Sequence, residues 1–159
     1  METVSTLTNR LKEVLIDGQW VSGTNFKKEI ENMSWQNAIT PVANLNSVAA
    51  IIWHIEYYLN GVTSVLKGGT LDIKDKFSFD TPDFKSQTDW ENLKVSFFKS
   101  CNTYIRLVTT LSKDQLNATF VDEKYGDYHR NVNAMIEHCY YHLGQIVLIK
   151  KLKHNSIIN

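Results

Sequence analysis

Residues 131–152 read NVNAMIEHCYYHLGQIVLIKKL, and this stretch decides how the rest of the chain is interpreted. Its apolar residues recur at spacings of three and four, which is the period of an amphipathic α-helix. Ile136 and Leu143 stand at the centre of the apolar face that this period creates. The stretch therefore predicts a long helix over about 132–152, and Asn131 is the expected N-terminal cap.

Three other segments of the chain carry the same helical period. No segment shows the sustained alternation of apolar and polar residues that marks a β-strand, and the chain contains only 2 prolines. The pattern therefore predicts an all-α fold, a four-helix bundle, in which long connections of about 15 to 30 residues join the main helices and can cover one end of the bundle. The other predicted helices run over about 4–18, 47–67 and 89–111.

Residues beside these helices carry capping signals. Asn46 or Ser47 can accept a hydrogen bond from the exposed N–H groups at the start of the second helix. Thr88 and Glu91 stand three apart before the third helix, which is the spacing of a capping box. Ser112 and Gln115 suggest one further short turn of helix after the third helix.

The composition is that of an ordinary globular domain. The chain has 159 residues, 43% hydrophobic and 21% charged, so we predict one domain over 1–159 with its own core. Lysine plus arginine equals aspartate plus glutamate at 17 each, which argues against nucleic acid as a partner. Cys101 and Cys139 are isolated thiols and not a disulfide framework. Residues 1–10 are polar and no apolar stretch reaches the ~20 residues of a membrane span, so we expect a cytoplasmic protein without membrane contact.

The histidines of two predicted helices stand where they can share a metal ion. His138 and His142 are four residues apart, so they lie one turn apart on one helix face. His54 lies about 110° from the centre of the apolar stripe of its own helix. His138 and His142 lie about 100–140° from the centre of theirs, to the same rotational side. All three edge an apolar face, which predicts one divalent metal site at the rim of the bundle. The alternative that stays open is that these histidines only pack; His129 and His154 are interpreted as surface residues.

Four polar residues near these histidines are also considered. Tyr58 and Gln145 share the histidine edge, so either can hydrogen-bond an imidazole, a bound water or a substrate. The alternative for Tyr58 is an ordinary core aromatic, and the alternative for Gln145 is a surface amide. Glu56 and Glu137 neighbour the histidines in sequence but point well away from them. We therefore interpret both carboxylates as solvated surface charges.

The four tryptophans are assigned mainly to packing. Trp53 and Trp90 fall on helices, where they belong to the core or to a dimer contact. Trp20 and Trp35 fall in the first connection, where they either anchor that connection or line the entrance of the site.

Two stretches resemble the signature segments of the DinB superfamily, the damage-inducible, YfiT-like group of metal-binding four-helix bundles. Residues 46–62, NSVAAIIWHIEYYLNGV, resemble its helix with one histidine in a W-H-I context. Residues 131–152 resemble its H-x-x-x-H-x-G-Q-I segment. The segments TLSKDQLNATF at 110–120 and YGDYH at 125–129 also fit, so the resemblance covers most of the chain.

The resemblance implies an up-down-down-up bundle with a long crossover between helices two and three, over about 68–85. It implies that His54, His138 and His142 hold a nickel or zinc ion, or a related divalent ion. It also implies a homodimer formed through helix faces. The family includes transferases and isomerases that use low-molecular-weight thiols, and many members without a known reaction.

Three neutral imidazoles leave at least one coordination position open, which is typical of catalytic metal sites. Such an ion can lower the pKa of a bound water, polarise a carbonyl or hold a thiolate. We therefore predict a metal-dependent enzyme of the thiol-transferase or hydrolase type that acts on a small molecule. A metal-binding protein without catalysis and an interaction bundle are the alternatives. A long basic cluster for an anionic thiol is absent, and the loop residues that could contribute are Lys27, Lys28, Lys74, Lys76 and Arg130.

Overall fold

The structure, a computed structural model, describes residues 2–158 and the side chains of residues 2–154. Its regular elements are all helical, which confirms the all-α prediction. Extended residues pair in that range only at an isolated bridge between Thr119 and Asp127. The α-helices are α1 (Val4–Lys12, continued by a π-helical turn at Glu13–Asp17), α2 (Phe26–Ile30), α3 (Trp35–Ile39), α4 (Val48–Leu66), α5 (Gln87–Thr109), α6 (Lys113–Asn117) and α7 (Tyr128–Ile158), and 3-10 turns cover Asp75–Phe77 and Glu123–Tyr125.

Helices α1, α4, α5 and α7 surround one hydrophobic core. α4 packs against α5 and α7, and α1 packs against the same two helices, so each of the four contacts two others. Burying one large aliphatic side chain contributes about 1.5–3 kcal/mol of transfer free energy, which is why the apolar stripes face inward. No helix within residues 2–158 has the length and apolarity needed to cross a membrane. Fully buried members of the core include Leu7, Leu11, Ile52, Ile55, Leu59, Phe97, Val108, Ile136 and Ile146.

The N-termini of α4 and α5 are capped by serines. The Ser47 hydroxyl accepts the N–H of the third residue of α4, which agrees with the prediction. At α5 the capping box predicted for Thr88 and Glu91 is wrong. The helix begins two residues earlier than predicted, because the Ser86 hydroxyl accepts the Asp89 N–H at 3.2 Å. The Asp89 carboxylate then accepts a hydrogen bond from the Ser86 hydroxyl, so the cap is already satisfied before residue 88.

Helix α7 also begins earlier than the sequence predicts. The Asp127 carboxylate accepts the backbone N–H of Arg130 at 2.7 Å, so Asp127 caps a helix whose first residue is Tyr128. The prediction of Asn131 as the cap is therefore wrong. Its side-chain amide instead donates to the carbonyls of Tyr125 and Asp127, both at 2.8 Å. Asn131 thus ties the preceding loop to the first turn of α7.

The connection between α1 and α4 contains two helices that the sequence did not predict. α2 and α3 span five residues each, which is too short for a periodic pattern to be recognised. Phe26 and Ile30 of α2 are fully buried. The indole N–H of Trp90 donates to the Met33 carbonyl at 2.8 Å and anchors the connection to α5. The short helix predicted near 112–115 is α6, and both hydrogen bonds of its capping box are present.

The tryptophans of the first connection differ in their surroundings. Trp35 packs against the core, as expected of an anchoring residue. Trp20 is 91% exposed, so the interpretation that it anchors the connection is wrong. The buried side chains of α2 already hold this segment in place, which leaves Trp20 in a solvent-exposed turn.

The crossover between α4 and α5, residues 67–86, is held against α4. The Tyr57 hydroxyl accepts the Lys74 N–H at 2.8 Å and donates to the Lys74 carbonyl at 3.1 Å. Gly61 permits a close approach, since a Cβ at this position would lie 2.4 Å from Cγ2 of Ile73. These contacts place the middle of the crossover over the face of α4 that carries His54.

Candidate metal centre

Three histidines from α4 and α7 converge in a group that we call the three-histidine cluster: His54, His138 and His142. One nitrogen from each ring can be chosen so that all three lie within 4.8 Å of one another. The Nε2 atoms of His54 and His138 are 3.0 Å apart. Two nitrogens bound tetrahedrally to one ion at about 2.0–2.1 Å stand about 3.3 Å apart. The cluster therefore has close to the spacing that one divalent ion requires.

The helical framework brings the three rings together. His138 and His142 lie one turn apart on α7, with ring centroids 4.6 Å apart. His54 comes from α4, which packs against α7, and its ring lies 5.0 Å from His138 and 4.8 Å from His142. The prediction that the histidines edge the apolar faces agrees with their position between two core helices.

Gln145 orients one ring of the cluster. Its side-chain oxygen lies 2.7 Å from Nδ1 of His142. A carboxamide oxygen can only accept, so Nδ1 of His142 carries the proton and Nε2 presents a lone pair. Histidines that bind metals are commonly oriented by a hydrogen bond of this kind.

Burial keeps the cluster uncharged near neutral pH. His54 and His142 are only 7% and 5% exposed. Burial, with a smaller contribution from the neighbouring imidazoles, lowers the pKa of His54 and of His138 to about 4. Burial also lowers the pKa of His142, and the hydrogen bond that its Nδ1–H donates to Gln145 opposes that shift. Neutral imidazoles are the form that binds a metal ion, so no proton must be displaced.

The crossover covers the cluster with an aromatic ring. Phe79 stacks on His54 with ring centroids 4.0 Å apart and an interplanar angle of 15°. Burial lowers the pKa of His54, and an interaction with the Ser78 backbone raises it by a smaller amount. Phe79 could not be predicted from the sequence, because no periodic pattern shows which crossover residues reach α4.

Tyr58 connects the cluster to a carboxylate that the sequence analysis missed. The Tyr58 ring packs edge-on against His54 and His138, with centroids 5.0 and 5.2 Å apart. Its hydroxyl donates to Oδ1 of Asp75 at 2.8 Å, and not to an imidazole. The charge of Asp75 acts on His54 and raises its pKa, although burial outweighs this effect. Asp75 carries no local signal, since it lies in the crossover, 21 residues after His54.

The two glutamates next to the histidines in sequence have different surroundings. Glu137 is exposed and pairs with Arg130 at 3.0 Å, as a solvated charge should. The same interpretation is wrong for Glu56, which is only 6% exposed. Its Oε1 accepts hydrogen bonds from the hydroxyls of Ser96 and Ser100 on α5. Glu56 does point away from the cluster, but α5 and not solvent occupies that side.

The remaining histidines and both thiols lie outside the cluster. His154 is exposed, as predicted, whereas His129 is partly buried beside Asn133. Cys101 and Cys139 are free and fully buried. Burial raises the pKa of the Cys139 thiol to about 12 and that of Cys101 well above its usual value. Neither thiol is therefore a nucleophile for chemistry at the cluster.

No family model, no curated protein and no solved structure matches this chain. The resemblance to the DinB superfamily therefore rests on the sequence stretches quoted above. The geometry stands independently of any relative: three buried or half-buried histidines lie close enough together to hold one metal ion.

Proposed function

We propose that this chain binds one divalent metal ion, zinc or nickel, through His54, His138 and His142, and acts as a metal-dependent enzyme on a small molecule. The convergence of three imidazole nitrogens within 4.8 Å carries the proposal. Structural zinc sites use four protein ligands, whereas catalytic sites use three and keep one position open. Within the described part of the chain, no fourth histidine, cysteine or carboxylate joins the group.

The surrounding residues support hydrolysis in preference to thiol transfer. When bound, a divalent ion with an open position lowers the pKa of a coordinated water to about 7 and polarises a carbonyl. Gln145 holds His142 in the tautomer that binds through Nε2. Phe79 excludes water from one face of His54. Asp75 places a carboxylate near the cluster, bonded to Tyr58 and acting electrostatically on His54, and its negative charge disfavours an anionic thiol at this centre.

The DinB resemblance adds two proposals about the assembly. The ring of contacts among α1, α4, α5 and α7 supports a four-helix bundle, and residues 67–86 are long enough for the crossover of an up-down-down-up topology. A homodimer through α7 is supported by Tyr141 and Leu148, which are 65% and 50% exposed on its outer face. Sedimentation velocity tests the dimer. A cytoplasmic location stays a prediction from the sequence.

Elemental analysis of protein purified without a histidine tag tests the metal site. We expect about one equivalent of divalent metal per chain, lost in His54→Ala and in His138→Ala, because two imidazoles alone bind an ion weakly. His129→Ala is the matched control, since this histidine lies on α7 outside the cluster. Circular dichroism confirms that each variant is folded.

The outcome that contradicts the proposal is protein that is purified without metal and takes up neither zinc nor nickel on titration. If metal is bound, the loaded protein is assayed on ester and amide panels. Hydrolysis that is absent from His138→Ala identifies an enzyme. Stoichiometric metal without hydrolysis, and without turnover of electrophiles when thiol is added, identifies a protein that only binds the ion.

A further inference from the structure

A cavity of about 390 Å³ opens beside the three-histidine cluster. His138 and Tyr58 both lie in its wall, so a molecule in the cavity contacts one of the proposed metal ligands. Small-molecule sites in proteins typically have volumes of about 300–1,000 Å³. The cavity therefore has the size and the position of a substrate pocket for this centre.

The wall of the cavity is mostly apolar. It is built from α4, the crossover, the loop before α7 and the first half of α7. Such a wall favours ligands with an apolar body, because burial of apolar surface drives their binding. The apolar wall includes Val62, Leu71, Ile73, Phe120 and Met135.

Asp75 is the only acidic or basic side chain in that wall besides the neutral His138. Its Oδ1 accepts the Tyr58 hydroxyl, and no other described side chain hydrogen-bonds the carboxylate. Tyr125 and Asn131 add neutral polar groups. No lysine or arginine lines the cavity, including the loop residues considered above for an anionic thiol, which are Lys27, Lys28, Lys74, Lys76 and Arg130.

We propose that this cavity binds a small hydrophobic amine, with the ammonium group on Asp75 and the apolar body against Phe120 and Met135. The inference deepens the proposed function and rests on it, because the amine is then the substrate class of the metal centre. An ammonium group replaces its lost hydration with a charge-assisted hydrogen bond to the carboxylate and with the faces of nearby aromatic rings. An anionic ligand loses its hydration beside the Asp75 carboxylate, and no lysine or arginine of the wall compensates for that loss.

The test is an NMR titration of metal-free protein, kept in EDTA, with phenethylamine and with phenylacetate at neutral pH. The two probes share an aromatic body and differ in the sign of their charge. We expect phenethylamine to shift the methyl signals of Ile73 and Met135 and to bind at least about tenfold more tightly than phenylacetate, which corresponds to about 1.4 kcal/mol. Metal-free protein is used because a carboxylate probe could otherwise coordinate the ion directly.

Two aspartate variants assign the preference to one side chain. Asp75→Asn keeps an acceptor for the Tyr58 hydroxyl but removes the charge, so the preference for the amine should disappear. Asp72→Asn is the matched control, since Asp72 is exposed in the crossover as Asp75 is, but lies outside the cavity wall and accepts only from Thr70 among described groups. This variant should keep the preference.

Equal or tighter binding of phenylacetate overturns the inference, as does a preference for the amine that persists in Asp75→Asn. Absence of any binding by phenethylamine to the wild-type chain overturns it too. These outcomes are independent of metal content, which elemental analysis measures. Failure of the amine site and failure of the metal site are therefore distinguishable.

Discussion

Replacing Gln145 by leucine removes the group that orients His142 while leaving all three ligands in place. Leucine has a similar volume but no acceptor, so Nδ1 of His142 loses its partner at 2.7 Å. His142 is only 5% exposed, so water has little access to take the place of the carboxamide. The freed imidazole then divides its population between two tautomers and several orientations, of which only some present Nε2 to the ion.

The expected loss follows from this geometry. Removing a hydrogen bond that orients a metal ligand typically costs 10- to 100-fold in affinity. Because the bond is short and poorly accessible to water, we expect the upper half of that range, about 30- to 100-fold, or about 2–2.7 kcal/mol. The metal-free variant should also lose about 1 kcal/mol of folding free energy from the unpaired donor. That loss corresponds to about 2–4 °C in Tm for a chain of this length.

Competition for zinc against a chromophoric chelator measures the change at neutral pH. Gln145→Glu keeps the acceptor and adds negative charge, so it should bind zinc at least as tightly as the wild-type chain. Gln36→Leu, the same substitution at an exposed position of α3, should leave the affinity unchanged. The reasoning is refuted if Gln145→Leu binds within about twofold of wild type, or if Gln145→Glu loses as much affinity as Gln145→Leu.

Two further predictions concern stability. In metal-free protein, burial holds the pKa of two histidines of the cluster at about 4, below the 6.5 of an exposed imidazole. The unfolded chain therefore binds more protons between these pH values, and the free energy of unfolding should decrease as the pH falls from about 6.5 to about 4. Urea denaturation in EDTA at several pH values measures this dependence, and the slope of the free energy of unfolding against pH should be shallower for His54→Phe than for the wild-type chain. Equal slopes for the two proteins would contradict this explanation. Glu56→Ala should lower the free energy of unfolding by about 2–4 kcal/mol, because two serine hydroxyls lose a charged acceptor. The exposed control Glu137→Ala should change it by less than about 1 kcal/mol, and similar losses in the two variants would refute the role of the buried carboxylate.

Local properties of the sequence accounted for the long helices and for the three histidines of the cluster. The helical period sets the fold class, because each apolar stripe must be buried against another. The four-residue spacing of His138 and His142 places both rings on one face whatever surrounds them. Angular position correctly predicted that His54 edges its stripe and that Glu56 points away from the cluster. The N-terminal caps predicted at Thr88 and Asn131 were wrong because Ser86 and Asp127, a few residues earlier, accept the corresponding hydrogen bonds.

The sequence by itself therefore determined an all-helical chain and the three histidines that can share an ion. Only the tertiary structure decided what else surrounds them. Asp75 and Phe79 reach the cluster because the Tyr57 hydroxyl and the close approach at Gly61 hold the crossover against α4. Glu56 is buried because α5, and not water, covers its side of α4. These contacts join residues far apart in the chain, and no periodic pattern encodes them, so they exist only once the helices have packed.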